Sequence, residues 1–334
     1  MDKTVLTVIV STYNRSLLVC RNMKTMLRCH SDRIEFVVGD NASTDDTVER
    51  LKGIDDRRVR IVERDNNFGI FNTYLLWTYA TGRYVIVVND RDYISGRDLD
   101  ELCEYLQTAD YDFISLHAKE YPEGQYLGND RYMIMIGSRH PGTLLWKREF
   151  FCRYFDADML RIHATTEQDK ADYLLGCYLC AATGTRRVYQ YHKGVIHQPG
   201  NRETIRKNRA EVYGDVYISL GFAQNQLAKW EEKIKQLKLG EEGRNLLLVK
   251  YEDLLNTVTE EYYRCLCKPG FAKRNHCEYL NKRDWLKNGI SFYQAAKRTR
   301  SFHGMETELR KIFARVMLRE CKNHIRKYVC RKDR

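Results

Sequence analysis

Two carboxylates one residue apart, Asp90-Arg91-Asp92, follow directly on the apolar run Tyr84-Val85-Ile86-Val87-Val88. At the carboxyl end of a buried strand such a pair can hold a divalent cation, and the cation can neutralise a diphosphate. Asp-x-Asp alone is a common turn former. Here three earlier strand ends also carry polar residues suited to a nucleotide: Ser11-Thr12-Tyr13-Asn14-Arg15, Gly39-Asp40-Asn41-Ala42-Ser43-Thr44-Asp45-Asp46, and Asn66-Asn67-Phe68-Gly69. In open α/β sheets ligands bind outside the carboxyl ends of the strands.

The elements that must position these residues alternate along the chain. Val5–Val10, Ile34–Val38, Val59–Val62 and Tyr84–Val88 read as strands, the first a continuous run that fits a strand covered on both faces. Helical stretches are expected over Ser16–Cys29, Thr47–Lys52 and Phe71–Ala80. Ser43 or Thr44 is expected to cap the second, with Asp45 and Asp46 in its first turn, and Gly82 to end the third. Strand and helix alternate four times, which predicts a parallel sheet with right-handed crossovers.

These segments resemble glycosyltransferase family 2, whose nucleotide-sugar-binding, Rossmann-like fold is called GT-A. The resemblance rests on Val8-Ile9-Val10-Ser11-Thr12-Tyr13-Asn14-Arg15, Val38-Gly39-Asp40-Asn41-Ala42-Ser43-Thr44-Asp45, Asn67-Phe68-Gly69 with Asn72, and Val88-Asn89-Asp90-Arg91-Asp92. It is strongest over residues 4–95, continues more loosely to about residue 200, and does not cover the C-terminal third. It implies a mostly parallel α/β sheet flanked by helices over residues 1–200, followed by an α-helical region over 201–334.

The resemblance also implies roles. Thr12, Tyr13, Asn14, Arg15, Asp40, Asn41, Gly69, Asn72, Asn89, Asp90 and Arg91 would form the nucleotide site. Thr12-Tyr13 would pack on base and ribose, and Asp40 would accept from a base or ribose donor. Asp90 would lie near ribose and metal, and Asp92 would ligate Mn2+ or Mg2+ directly, with His197 as a third metal ligand. Arg91 stands where a small or acidic residue is common; it can pair with a carboxylate or reach a phosphate. Asp40 also suits a turn before the Ser43 cap.

Tyr111–Leu116 reads as a fifth strand, and Pro141–Phe150 followed by Tyr154-Phe155-Asp156 resembles the family's glycine-led strand, short helix and Phe-Asp pair. Beyond it the family places an acidic pair carrying the general base. Thr166-Glu167-Gln168-Asp169-Lys170-Ala171-Asp172 is the matching region, which makes Asp169 the first choice of base, Glu167 the second and Asp172 the third. A solvated, acid-rich helix start is the structural alternative. Gly184 and Val188-Tyr189-Gln190-Tyr191 match the glycine and strand that follow, and His192, His197 and Arg202 come next.

Size and composition bound the rest. The 334 residues suffice for one large domain and an appendage, and four prolines with 43% hydrophobic residues argue for a folded core. No apolar run approaches the roughly 20 residues of a membrane-spanning helix, and the start Met1-Asp2-Lys3-Thr4 lacks signal-peptide features. Eleven cysteines, an odd number, suit a reduced cytoplasmic protein. Cys177-x-x-Cys180 lies in an apolar run and reads as core. Cys265-x-Cys267 with His276-Cys277 lacks a second pair at zinc spacing.

The net charge is +11, and residues 318–334 hold seven Lys or Arg against two acids, behind an apolar stripe of Leu309, Ile312, Phe313, Val316 and Met317. Such an end either packs on the body with a solvated tail or lies on anionic lipid. From about Arg202 the composition turns helical, and its tyrosine-rich stretches suit ordinary packing, an oligomer interface or an acceptor surface.

The function expected is inverting, metal-dependent transfer from a UDP-sugar to a hydroxyl of a glycan or lipid-linked acceptor in cell-surface polysaccharide synthesis. A sugar-1-phosphate nucleotidyltransferase would also begin with a Rossmann-like sheet, but Ser11–Arg15 contains no glycine for a triphosphate loop. A degenerate nucleotide-sugar-binding protein without transfer is a further alternative. A nucleic-acid-binding role fits the charge but has no motif behind it.

Overall fold

A computed structural model describes residues 4–116, 121–128, 130, 131, 134, 141–155 and 184–198, and positions 310, 311, 314, 318, 321 and 322. The chain divides into two compact units, the first comprising residues 1–200 with 239–246 and the second the remainder. In the second unit the six described positions are helical and exposed. Among the described residues no helix is long and apolar enough to cross a membrane.

The first unit is built on an eight-stranded sheet. Its strands are β1 (Leu6–Thr12), β2 (Ile34–Asp40), β3 (Val59–Val62), β4 (Tyr84–Asn89), β6 (Phe113–Ser115), β7 (Gly124–Tyr126), β8 (Leu144–Lys147) and β9 (Val188–Gln190), in the order β3-β2-β1-β4-β8-β6-β9-β7. Two very short strands, β5 (Tyr93–Ile94) and β10 (Ile196–His197), form a separate antiparallel pair. β1 pairs in parallel with β2 and β4, and β2 with β3. β8 runs antiparallel between β4 and β6, while β9 is parallel to β6. The sheet is thus mostly parallel, as the strand–helix alternation predicts.

Successive residues of a strand point to opposite faces, so a strand covered on both sides is apolar throughout. In β1, Leu6, Val8 and Val10 enter one core with Val19, Met23 and Met26 of α1 (Ser16–Met26) and Leu99 and Leu102 of α4 (Gly96–Thr108). Ile9 enters the opposite core with Val37, Leu76, Trp77, Val85 and Phe151. That second face is covered by the stretch expected as one helix, which is α3 (Asn72–Leu75) flanked by 3-10 turns at Gly69–Phe71 and Leu76–Tyr79, and by α5 (Arg148–Cys152).

Two expectations about helix ends are corrected. Gly82 does not end a helix, because the preceding 3-10 turn closes on Ala80. Gly82 is instead a point of close approach: its N–H donates to Thr7 Oγ1 at 2.9 Å, and an added Cβ would lie 2.7 Å from Thr7 N. Gly82→Ala should therefore lower stability by about 1–3 kcal/mol, as overpacking does, read as a shift of the denaturant midpoint without loss of cooperativity.

Neither Ser43 nor Thr44 caps α2 (Thr47–Lys52). Asp46 takes the N-cap position without a capping side-chain bond, and Asp45 Oδ1 accepts from Thr47 N at 3.1 Å. Ser43 and Thr44 are used elsewhere: Ser43 Oγ accepts from Asn14 N at 2.9 Å and Thr44 N donates to Asn14 Oδ1 at 2.7 Å. They tie the loop after β2 to the loop after β1.

Candidate active site

The site residues gather where the strand order reverses. β1 continues to β2 on one side and β4 lies on the other, so the carboxyl ends of β1 and β4 flank the switch point at which such sheets take ligands. Asp90 is 4% exposed and bridges the two ends. Its Oδ2 accepts from Thr12 Oγ1 at 3.0 Å, its Oδ1 from Arg15 Nη1 at 2.6 Å, and its backbone carbonyl from Asn22 Nδ2 at 2.9 Å. Burial raises the Asp90 carboxyl above the ordinary carboxylate range, and the charges of Arg15 and Arg91 oppose that shift.

Asp92 is buried as well. Its N–H donates to Asn89 O at 2.9 Å, and Asn89 Nδ2 donates to Asp92 Oδ2 at 3.0 Å, which closes the turn on itself. Arg91 is half-buried, and forms no ion pair among the described residues.

The neighbouring ends complete a polar rim. Asp40 is 1% exposed; its Oδ2 accepts from Ser43 N at 2.9 Å, while its buried Oδ1 has no partner. Asn41 accepts from Phe68 N at 2.8 Å and donates to Asn67 Oδ1 at 2.7 Å and Gly69 O at 3.2 Å, joining the loops after β2 and β3. Asn72 donates to Ser11 Oγ at 3.0 Å and Gly39 O at 3.2 Å. Asn14 and Gly69 adopt positive φ, 50° and 56°, at the two bends. Tyr13 is among the exposed large side chains, with its ring at the crevice end of β1.

Arg64, two residues past β3, is not singled out by the sequence analysis because a lone Arg carries no spacing signal. Its Nε donates to Asn72 Oδ1 at 3.0 Å, its guanidinium lies over the Tyr79 ring at 5.5 Å, and its buried Nη2 has no hydrogen-bond partner. The rim therefore holds one open acceptor on Asp40 and one open donor on Arg64.

His197 lies on β10 opposite Tyr93 of β5, with the two rings stacked at 5.1 Å and His197 Nε2 at 3.3 Å from Asp98 Oδ2. Among the described residues no three His, Cys, Asp or Glu side chains gather to hold a metal, so His197 is not drawn into one group with Asp90 and Asp92. Glu167, Asp169 and Asp172 lie outside the described residues, as do the Cys177–Cys180 and Cys265–Cys277 segments.

A cavity of about 350 Å3 opens at the opposite end of the sheet, between Asp112, Lys147, Arg153 and Arg187. Asp112 precedes β6 and Lys147 ends the reversed β8, which places it away from the strand ends just described. Its charges are largely spent internally, Lys147 on Asp110 at 2.8 Å and Arg187 on Asp110 and Asp112.

A parallel α/β half-sheet with acidic, partly unpartnered side chains at its switch point defines a ligand-binding domain of the Rossmann-like kind. Residues 7–167 match the model of glycosyl transferase family 2, so this stretch is a family 2 glycosyltransferase domain of the GT-A fold. Its role is glycosyl transfer. Among solved structures the chain is similar to S. aureus TarS 1-349, at 15% identity over 87% of this chain and 80% of that one, with a TM-score of 0.51. It is similar to the same protein in complex with UDP, at 14% identity over 93% and 88%, TM-score 0.51. It is also similar to the UDP-GlcNAc complex, at 14% identity over 87% and 81%, TM-score 0.50. At these identities the likeness is one of fold. A comparison with curated proteins finds no match.

Proposed function

We propose that this domain moves a sugar from a UDP-sugar, with inversion, to a hydroxyl of a glycan or lipid-linked acceptor, in cell-surface polysaccharide synthesis. The observation that carries the donor reading is the pair of buried atoms without hydrogen-bond partners, Asp40 Oδ1 at the end of β2 and Arg64 Nη2 just past β3. A nucleobase edge presents both a donor and an acceptor, and such a pair meets each. Unpaired buried polar groups cost about 1–3 kcal/mol apiece, which a ligand reaching both atoms would recover. The UDP and UDP-GlcNAc held by the similar structures support the same donor class.

The residues fit a hard divalent cation, Mn2+ or Mg2+, through a division of labour. Both Asp90 oxygens are taken by Thr12 and Arg15, and Asp92 Oδ2 accepts from Asn89 Nδ2 within the same turn. In this reading Asp92 is the direct ligand and Asp90 the group that fixes the turn, while His197, stacked on Tyr93 and facing Asp98, stands outside the set. When bound, the cation supplies Lewis-acid stabilisation of the departing diphosphate. Arg91, without an ion pair among the described residues, brings a further positive charge to that diphosphate. Asp169, or Glu167 or Asp172 in its place, takes the proton from the acceptor hydroxyl. That oxygen forms its bond to C1 of the sugar as the bond from C1 to the UDP oxygen breaks on the opposite side.

Calorimetric titration with UDP, GDP and CDP in Mn2+ tests the donor. UDP should bind best. Arg64→Met should weaken it about tenfold or more, the worth of one hydrogen bond to a charged group. Equal affinity for all three nucleotides, or an unaltered affinity in Arg64→Met, would remove the base-edge reading.

A further inference from the structure

α1 has two unlike faces. Val19, Asn22, Met23 and Met26 are buried against the sheet. Leu17, Arg21 and Lys24 are exposed, and so is Arg28 in the turn that follows the helix. Residues three and four apart are neighbours on a helix surface, so steps of four, three and four set these side chains in one line. Arg21, Lys24 and Arg28 form no ion pair among the described residues, which leaves the line three free positive charges. Arg97 adds a fourth: it is exposed and unpaired as well, and Gly96 before it abuts the backbone of Arg28 and Cys29. Acids at the two ends are already held, Asp46 by Arg50 and Asp100 by the N–H groups of His30 and Ser31. Leu17 heads the line at 71% exposed, and Tyr13 stands just before it at 38%.

We propose that this face of α1 docks the domain on an anionic lipid surface. Free basic side chains in a line supply the attraction to headgroup phosphates, and it is strongest where no acid of the protein competes. The apolar face of α1 is spent on the core, so the contact is mainly electrostatic, with Leu17 the side chain that enters the headgroup layer. A soluble polyanion would meet the same charges but offers an exposed leucine nothing to enter, and Leu17 therefore favours lipid. α1 begins directly after Arg15, which holds Asp90, so docking brings the carboxyl ends of β1 and β4 to the margin of the bilayer. A lipid-linked acceptor presents its hydroxyl there. The docking needs no nucleotide, and it stands whether or not the donor and metal readings hold. It also uses residues apart from the basic stretch 318–334.

The test is sedimentation of the full chain with vesicles of phosphatidylcholine, alone or mixed with phosphatidylglycerol, in the absence of nucleotide. Binding should require the anionic lipid and weaken as salt rises. Arg21→Gln, Lys24→Gln and Arg28→Gln together should weaken it about 100-fold, at roughly fivefold for each basic residue. Leu17→Ser alone should weaken it about tenfold, the worth of a leucine side chain taken out of water. Melting temperatures should stay close to that of the unaltered protein, because all four side chains are exposed. Failure of the unaltered protein to bind anionic vesicles overturns the proposal. Full binding by the triple variant overturns it too, and assigns the contact to the basic C-terminal residues. A triple variant that loses binding while Leu17→Ser keeps it, with double-stranded DNA bound as tightly as the vesicles, makes α1 a general polyanion surface and overturns the lipid assignment.

Discussion

Asp92→Ala should abolish sugar transfer while leaving the domain folded. Outer-shell partners of a metal ligand typically cost about 10–100-fold when removed. A direct ligand should cost more, and here the same carboxylate would carry the cation at the diphosphate. The fold should survive because Asp92 belongs to neither apolar core. Asp90→Ala should behave differently. It removes the acceptor of Thr12 and Arg15 at the junction of β1 and β4, so stability should fall along with activity. Turnover by Asp92→Ala, checked by UDP release with donor and Mn2+, at the rate of the unaltered enzyme would dismiss the metal role of this turn.

Asp169→Asn should keep donor binding and lose transfer by about 100- to 10,000-fold, the share a positioned general base supplies. The asparagine keeps the shape of the side chain but cannot take a proton from the acceptor hydroxyl. UDP affinity and single-turnover transfer, measured on one preparation, separate the two steps. If Glu167→Gln shows this pattern while Asp169→Asn turns over normally, the base is Glu167.

The parallel half of the sheet was legible because β1, β2 and β4 are covered on both faces, whereas the edge strand β3 leaves Arg60 exposed. β1, β2 and β4 are dominated by apolar residues, and polar residues mark where each run leaves the sheet. The reversed β8 was legible only as a strand: its place between β4 and β6 is a pairing of residues about sixty positions apart, with no local signal. β5, β7 and β10 span two or three residues, too few for alternation to show. α4 had a readable start in Ser95-Gly96-Arg97-Asp98, a capping pattern that also brings Asp98 and Glu101 onto one helix face. The Ser43 and Thr44 expectation failed because hydroxyls that suit a helix cap suit a loop-to-loop contact equally well, and only the fold brings Asn14 to them. Arg64 was invisible for a related reason, since its value lies in what its guanidinium lacks once buried.

The most direct test of a metal-dependent UDP-sugar site is the melting temperature of the unaltered protein and of Asp92→Ala with UDP, each with and without Mn2+. A ligand that binds only the folded state raises the melting temperature, by an amount set by its concentration relative to Kd. The account predicts a rise with UDP that requires Mn2+ in the unaltered protein and is lost in Asp92→Ala. A rise of equal size in both proteins, or none in either, would contradict it.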